Sequence, residues 1–148
     1  MDELNHTLIT DFGLAKYYQN ESPLTQEVVT PIYMAPEVLE TTNYNFEADV
    51  YSFRIMLLEL ISGVKPFAKM SRFKISHAVT HGIRPSLDFP MNPLIKKLIE
   101  KCLSHDPSQR PSFKSITEKL ALDKNYYVDD TVDSSEVLKY TKNLFNVK

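Results

Sequence analysis

One stretch limits the fold more than any other. From Glu47 to Ser62 the sequence reads EADVYSFRIMLLELIS, and Val50, Tyr51, Phe53, Ile55, Met56, Leu57, Leu58, Leu60 and Ile61 leave it almost no polar face. A surface helix needs only a stripe of apolar residues, whereas one that is apolar on nearly every side has to be enclosed by other elements. This stretch is therefore expected to be the core helix of the domain. Gly63 is its expected stop, because glycine takes the left-handed backbone that ends a helix without steric cost.

The elements that would enclose it are also legible. Pro36 opens a short helix, since proline is favoured at the first helical position, where its missing N–H costs nothing. Three further helices are expected over about Ser71 to His81, Asn92 to Ser104 and Ser112 to Leu122. In the second, Leu94, Ile95, Leu98, Ile99, Cys102 and Leu103 recur every three or four residues, with Lys96, Lys97, Glu100 and Lys101 outside that stripe. Such a stripe predicts packing rather than catalysis. Residues 7–10, with β-branched Thr7, Ile9 and Thr10, read as one short strand. Residues 16–30 are polar, interrupted by Pro23, and longer than an ordinary connection. Beyond Leu122 comes an acidic, irregular run, DKNYYVDDTVD, and then the pattern of a marginal amphipathic helix over 134–146.

A length of 148 residues suits one domain with a buried core, and 43% apolar with 24% charged residues argues against disorder. The net charge of -2 provides no field to attract nucleic acid or an anionic membrane. Cys102 is the lone cysteine, so no internal disulfide forms, which fits a reducing, cytoplasmic setting. The N-terminal Met1-Asp2-Glu3 is acidic where a signal peptide is basic, and no apolar run is long enough to span a bilayer.

The motifs that bear chemistry begin at Asp11-Phe12-Gly13, a carboxylate on a sharp glycine turn. Three residues alone would mean little. They are followed in order by Thr30-Pro31-Ile32-Tyr33-Met34-Ala35-Pro36-Glu37, by Asp49-Val50-Tyr51-Ser52-Phe53, by Leu58-Glu59-Leu60 running to Pro66-Phe67, and by His105-Asp106-Pro107-Ser108-Gln109-Arg110-Pro111. This ordered set resembles the protein kinase family, from the metal-binding turn to the end of the C-terminal lobe. Thr30-Pro31-Ile32-Tyr33 is similar to the serine/threonine pattern, closest to the tyrosine-kinase-like group.

The resemblance implies a mainly α fold, the helical C-terminal lobe of a kinase with a remnant strand and an irregular activation segment. Residues 1–122 would be a partial kinase domain, with the activation segment over 11–37 and the helical base over 38–122, and residues 123–148 a tail. It implies that Asp11 coordinates Mg²⁺ on the ATP phosphates. Thr30 would help orient the peptide substrate, and Pro31, Ile32 and Tyr33 would shape the pocket beside the phosphoacceptor. Glu37 would pair with Arg110, and Asp49 would accept backbone N–H groups of the catalytic loop. Tyr17, Ser22 and Thr25 are candidate phosphorylation sites.

The family's Gly-rich loop, its lysine and glutamate pair, its His-Arg-Asp loop and its asparagine metal ligand all belong before Asp11. None of them is in these 148 residues, and Met1 resembles an internal position of the strand that follows the catalytic loop. Two readings follow. One is a fragment of a serine/threonine kinase, inactive as it stands, whose ATP and Mg²⁺ are bound tightly only by a longer chain that phosphorylates a protein substrate. The other is a non-catalytic module that docks a protein partner through the helix at 71–81 and the activation segment.

Two residues depart from the family pattern. Val29 and Arg54 each stand where glycine is usual, and a charge at Arg54 on an enclosed helix needs a partner or an exit to water. His77 with His81, and Cys102 with His105, have the spacing of metal ligands on a helix. No second cluster pairs with either, so both read as solvated helix faces.

Overall fold

The computed structural model describes residues 9, 10, 12, 31–41, 44–127, 133, 135–137 and 139. Five α-helices are built from them: α1 Pro36–Glu40, α2 Glu47–Ser62, α3 Arg72–Thr80, α4 Pro93–Cys102 and α5 Phe113–Leu122. Short 3-10 turns at Pro31–Tyr33, Pro107–Gln109 and Lys124–Tyr126 punctuate them. No strand occurs among the described residues. The strand expected over 7–10 falls mainly outside them, and its described part, Ile9 and Thr10, is exposed and in neither helix nor strand. The described part of the helix expected over 134–146, residues 135–137 and 139, is helical.

Local chemistry sets the boundaries. Gly63 closes α2 in the left-handed conformation at φ 66° and donates its N–H to the Glu59 carbonyl. Ser71, Asn92 and Ser112 cap the N-termini of α3, α4 and α5, each accepting a backbone N–H with its side-chain oxygen, and each such cap contributes about 1 kcal/mol. Pro93 at the first position of α4 has no N–H to leave unsatisfied.

α2 lies at the centre, packed against α4 and against the Pro31–Tyr33 turn, which also contacts α3, while α1 rests on α3. The largest cluster joins Ile32, Ala35, Tyr51, Ile55, Leu58, Val79, Ile95 and Ile99. A second joins Val50, Leu98, Cys102 and Ile116. The stripe on α4 is divided between them, Ile95 and Ile99 facing one and Leu98 and Cys102 the other, while Leu94 at its start is exposed. Phe53 of α2 meets Phe113 of α5 edge to face, with centroids 5.5 Å apart.

The enclosure of α2 is incomplete. Ala48, Val50, Tyr51, Ile55 and Leu58 are buried, but Met56 and Leu60 are 45% and 70% exposed. With exposed Asp49 they follow helical spacing along one side, so the helix is covered over part of its circumference. Arg54, in contrast, is completely buried. It has no exit to water, and among the described residues no carboxylate pairs with it. Its Nη2 donates to the Ile95 carbonyl at 3.3 Å, while Nε and Nη1 have no partner among the described residues. Burial pushes its guanidinium down to about 10.

Residues beyond α5 continue the packing. Asp123 caps the Lys124–Tyr126 turn, and the Asn92 side-chain amide donates to the carbonyls of Asn125 (2.8 Å) and Tyr127 (3.0 Å). Tyr126 packs against both apolar clusters. The acidic run thus begins with an ordered turn held by Asn92, a contact that its composition does not announce.

Candidate peptide platform

The site begins with an ion pair. Glu37 stands in the first turn of α1, and Arg110 leaves the 3-10 turn Pro107–Gln109 with its side chain buried. The guanidinium donates to both Glu37 oxygens, Nη1 to Oε1 at 2.6 Å and Nη2 to Oε2 at 2.8 Å. Two of its three remaining N–H groups are also used: Nε donates to the Ser104 carbonyl (3.0 Å) and Nη1 to that of Glu47 (2.9 Å). This fork-to-fork geometry fixes direction as well as distance. It ties α1 to the start of α2 and to the base of the domain.

Tyr51 underlies that pair. Its ring is completely buried, with the Arg110 guanidinium 5.2 Å and that of Arg84 5.4 Å from its centroid. Burial raises its phenol above the ordinary range. Arg84 donates from Nε to the Leu103 carbonyl (2.8 Å) and from Nη1 to that of Val79 (2.9 Å), closing the end of α3 onto the end of α4.

Pro31, Ile32 and Tyr33 precede this anchor. Pro31 and Ile32 are buried, and Ile32 belongs to the main core. Tyr33 is half-buried, and α2 holds it twice. The Ser52 hydroxyl donates to its carbonyl at 2.7 Å, and its own hydroxyl donates to Glu59 Oε2 at 2.7 Å. That hydrogen bond, burial and the Glu59 charge together raise the Tyr33 phenol above its usual range. The segment 31–37 is therefore clamped to α2 by Ser52 and Glu59 and to the base by Arg110. An extended peptide laid along it would meet a rigid surface.

The other sequence candidates divide clearly. Asp49 stands exposed in the first turn of α2, and its carboxylate has no hydrogen-bond partner among the described residues. Partial desolvation of that carboxyl raises it above the ordinary range. Asp11, Thr30, Tyr17, Ser22, Thr25 and Val29 lie outside the described residues. Among the described residues no three His, Cys, Asp or Glu side chains converge on a common point, so these residues form no magnesium cradle by themselves. His77 and His81 stack with centroids 4.0 Å apart, and His81 Nδ1 lies 2.7 Å from the His77 carbonyl, which occupies that nitrogen locally. Burial pushes the Cys102 thiol up, away from reactive thiolate. No described helix is long and apolar enough to cross a membrane.

Sequence reasoning missed Ser52, Glu59 and Arg84. Glu59 was the most readable of these, because a carboxylate between Leu58 and Leu60 on an otherwise apolar helix demands a partner.

Comparison with known proteins shows the family. The protein kinase domain matches residues 1–120. The serine/threonine-protein kinase STY17 of Arabidopsis thaliana is 36% identical over 121 residues, covering 81% of this chain and 21% of that protein. The probable serine/threonine-protein kinase drkC of Dictyostelium discoideum is 38% identical over 125 residues, 81% of this chain and 17% of its own. The dual specificity protein kinase shkC of the same organism is 36% identical over 126 residues, 81% and 25% respectively. This chain thus spans about a fifth of the length of such relatives. With its Glu37–Arg110 anchor, its helical base and a match running from residue 1 to residue 120, the chain belongs to the protein kinase domain family.

Proposed function

We infer that this chain is the C-terminal-lobe portion of a serine/threonine kinase of the tyrosine-kinase-like group, and that it supplies the surface on which a protein substrate is held. The observation that carries the reading is the clamping of residues 31–37, by the Glu37–Arg110 fork on one side and by Tyr33 with Ser52 and Glu59 on the other. A segment that positions a phosphoacceptor has to be rigid, because misplacement of the acceptor oxygen by about 1 Å costs on the order of a hundredfold in rate.

In this reading Thr30 to Tyr33 orient the substrate, and the serine or threonine hydroxyl attacks the γ-phosphorus of ATP. The bond to the β–γ bridging oxygen breaks, and the hydroxyl proton passes to a base outside these residues. Magnesium, held in part by Asp11, would neutralise phosphate charge. The 148 residues by themselves transfer no phosphoryl group. Supporting this is the exposed side of α2 at Asp49, Met56 and Leu60, where more of a catalytic domain would pack.

The test is transfer of labelled γ-phosphate to a generic protein substrate. The 148-residue chain is expected to give none. Joined to the nucleotide-binding half of a related kinase it is expected to become active, and Asp11→Asn should abolish that activity. Phosphoryl transfer by the chain alone, lost in Asp11→Asn, would overturn the inactive reading.

A further inference from the structure

Between Glu59 and Asp88 the chain has no acidic residue, yet Lys65, Lys69, Arg72, Lys74 and Arg84 all fall there. The imbalance is local, since the whole chain carries 19 acids against 17 Lys and Arg. The two ends of this segment, which carry Lys65, Lys69 and Arg84 but not Arg72 or Lys74, line a cleft of about 660 Å³ between the end of α2, the 63–70 loop and residues 83–89. Leu58, Val64, Phe67, Met70, Ile83 and Phe89 line it, bordered by the exposed Lys65 and Lys69. Val64 and Ile83 are 63% and 55% exposed, so apolar side chains stand uncovered beside a cleft of the size that ligands occupy.

The charges around the cleft are unevenly engaged. Arg84 is spent on the carbonyls of Leu103, Val79 and Ile83. Asp88, the carboxylate in the lining, accepts the Ser86 hydroxyl at 2.8 Å. Lys65 and Lys69 have no carboxylate within ion-pair reach among the described residues. In the cleft wall, Phe67 sits at φ 56°, a left-handed backbone that a bulky residue keeps only when its surroundings impose it. The Met70 N–H donates to the Phe67 carbonyl at 2.8 Å and holds the turn.

We propose that this cleft docks a segment of a partner protein in which acidic residues alternate with large apolar ones, the apolar side chains entering the cleft and the acids meeting Lys65 and Lys69. A purely anionic ligand leaves the apolar lining without a role, and a purely apolar one leaves the two lysines uncompensated. The proposal goes beyond phosphoryl transfer and does not rest on it.

The probe is the fluorophore-labelled peptide Glu-Asp-Leu-Phe-Asp-Glu-Leu, titrated by anisotropy against the full chain. A control peptide has lysine in place of every acid. Expected is saturable binding of the acidic peptide alone, weakened by salt, and lowered about tenfold in the double variant Lys65→Glu/Lys69→Glu. Ile83→Asp, at an exposed apolar position, should lower it comparably, separating the apolar contribution from charge. Each variant is compared at unchanged far-ultraviolet dichroism. Four results would overturn the proposal: no binding at millimolar peptide, equal binding of the control, unaltered affinity in both variants, or displacement of the peptide by single-stranded oligonucleotide or phosphatidylserine vesicles at equal charge, which reassigns the patch to polyanions.

Discussion

Two arginines are buried in this domain, and their surroundings could hardly differ more. Arg110 meets a carboxylate fork and two backbone carbonyls, so each of its three nitrogens donates a hydrogen bond. Arg54, on the central helix, has one long hydrogen bond to Ile95 and, among the described residues, two nitrogens without a partner. Removal of water weakens a charge in both places, but only at Arg110 does the protein replace what water supplied. A buried cation therefore says nothing about stability until its partners are counted. One of these residues ties the fold together, and the other strains it.

The first prediction breaks the stabilising side. Arg110→Leu strands the Glu37 carboxylate and the Ser104 and Glu47 carbonyls, and should lower unfolding free energy in urea by about 3–5 kcal/mol. Glu37→Gln should lose a comparable amount, and the double variant less than the sum of the two. Additive losses would mean that the fork contributes nothing as a pair.

The second turns the comparison round. Arg54→Met keeps an unbranched side chain and removes the charge, so it should raise stability by about 1–4 kcal/mol. The difference should depend on pH in a definite direction. The folded guanidinium, lowered by burial to about 10, releases its proton at lower pH than the unfolded one. Between those values the unfolded state binds more protons, so the contribution of Arg54 to stability rises with pH and the advantage of methionine shrinks. Loss of stability in Arg54→Met at neutral pH would show that the Ile95 hydrogen bond outweighs desolvation.

Smaller effects sharpen the picture elsewhere. Asn92→Ala removes both the cap of α4 and the grip on Asn125 and Tyr127, and should cost about 1–2 kcal/mol. Faster hydrogen exchange should appear at residues 124–127, and unchanged exchange there would detach the tail from the cap. Tyr33→Phe loses a half-buried hydrogen bond to Glu59 and should cost about 1 kcal/mol. Glu59→Gln should restore the Tyr33 phenol toward its ordinary range in a spectroscopic titration. If it does not, Glu59 is not the cause of the raised value.

What could be read from residues alone was local or periodic. The limits of α2, the stop at Gly63, the start at Pro36 and the packing stripe of α4 all rest on backbone preference and spacing within a few residues. The pairing of Glu37 with Arg110, 73 residues apart, was reached through resemblance to a family, since nothing in either residue's neighbourhood points to the other. Tertiary structure alone decided the rest. It buried Arg54 against a carbonyl 41 residues away, bound Asn92 to carbonyls 33 and 35 residues on, set the left-handed Phe67 in the wall of a cleft, and left the Met56 and Leu60 side of α2 open. The physical reason is common to all four. Periodicity states how much apolar surface a helix must hide, but which neighbour hides it depends on how distant segments share the same space.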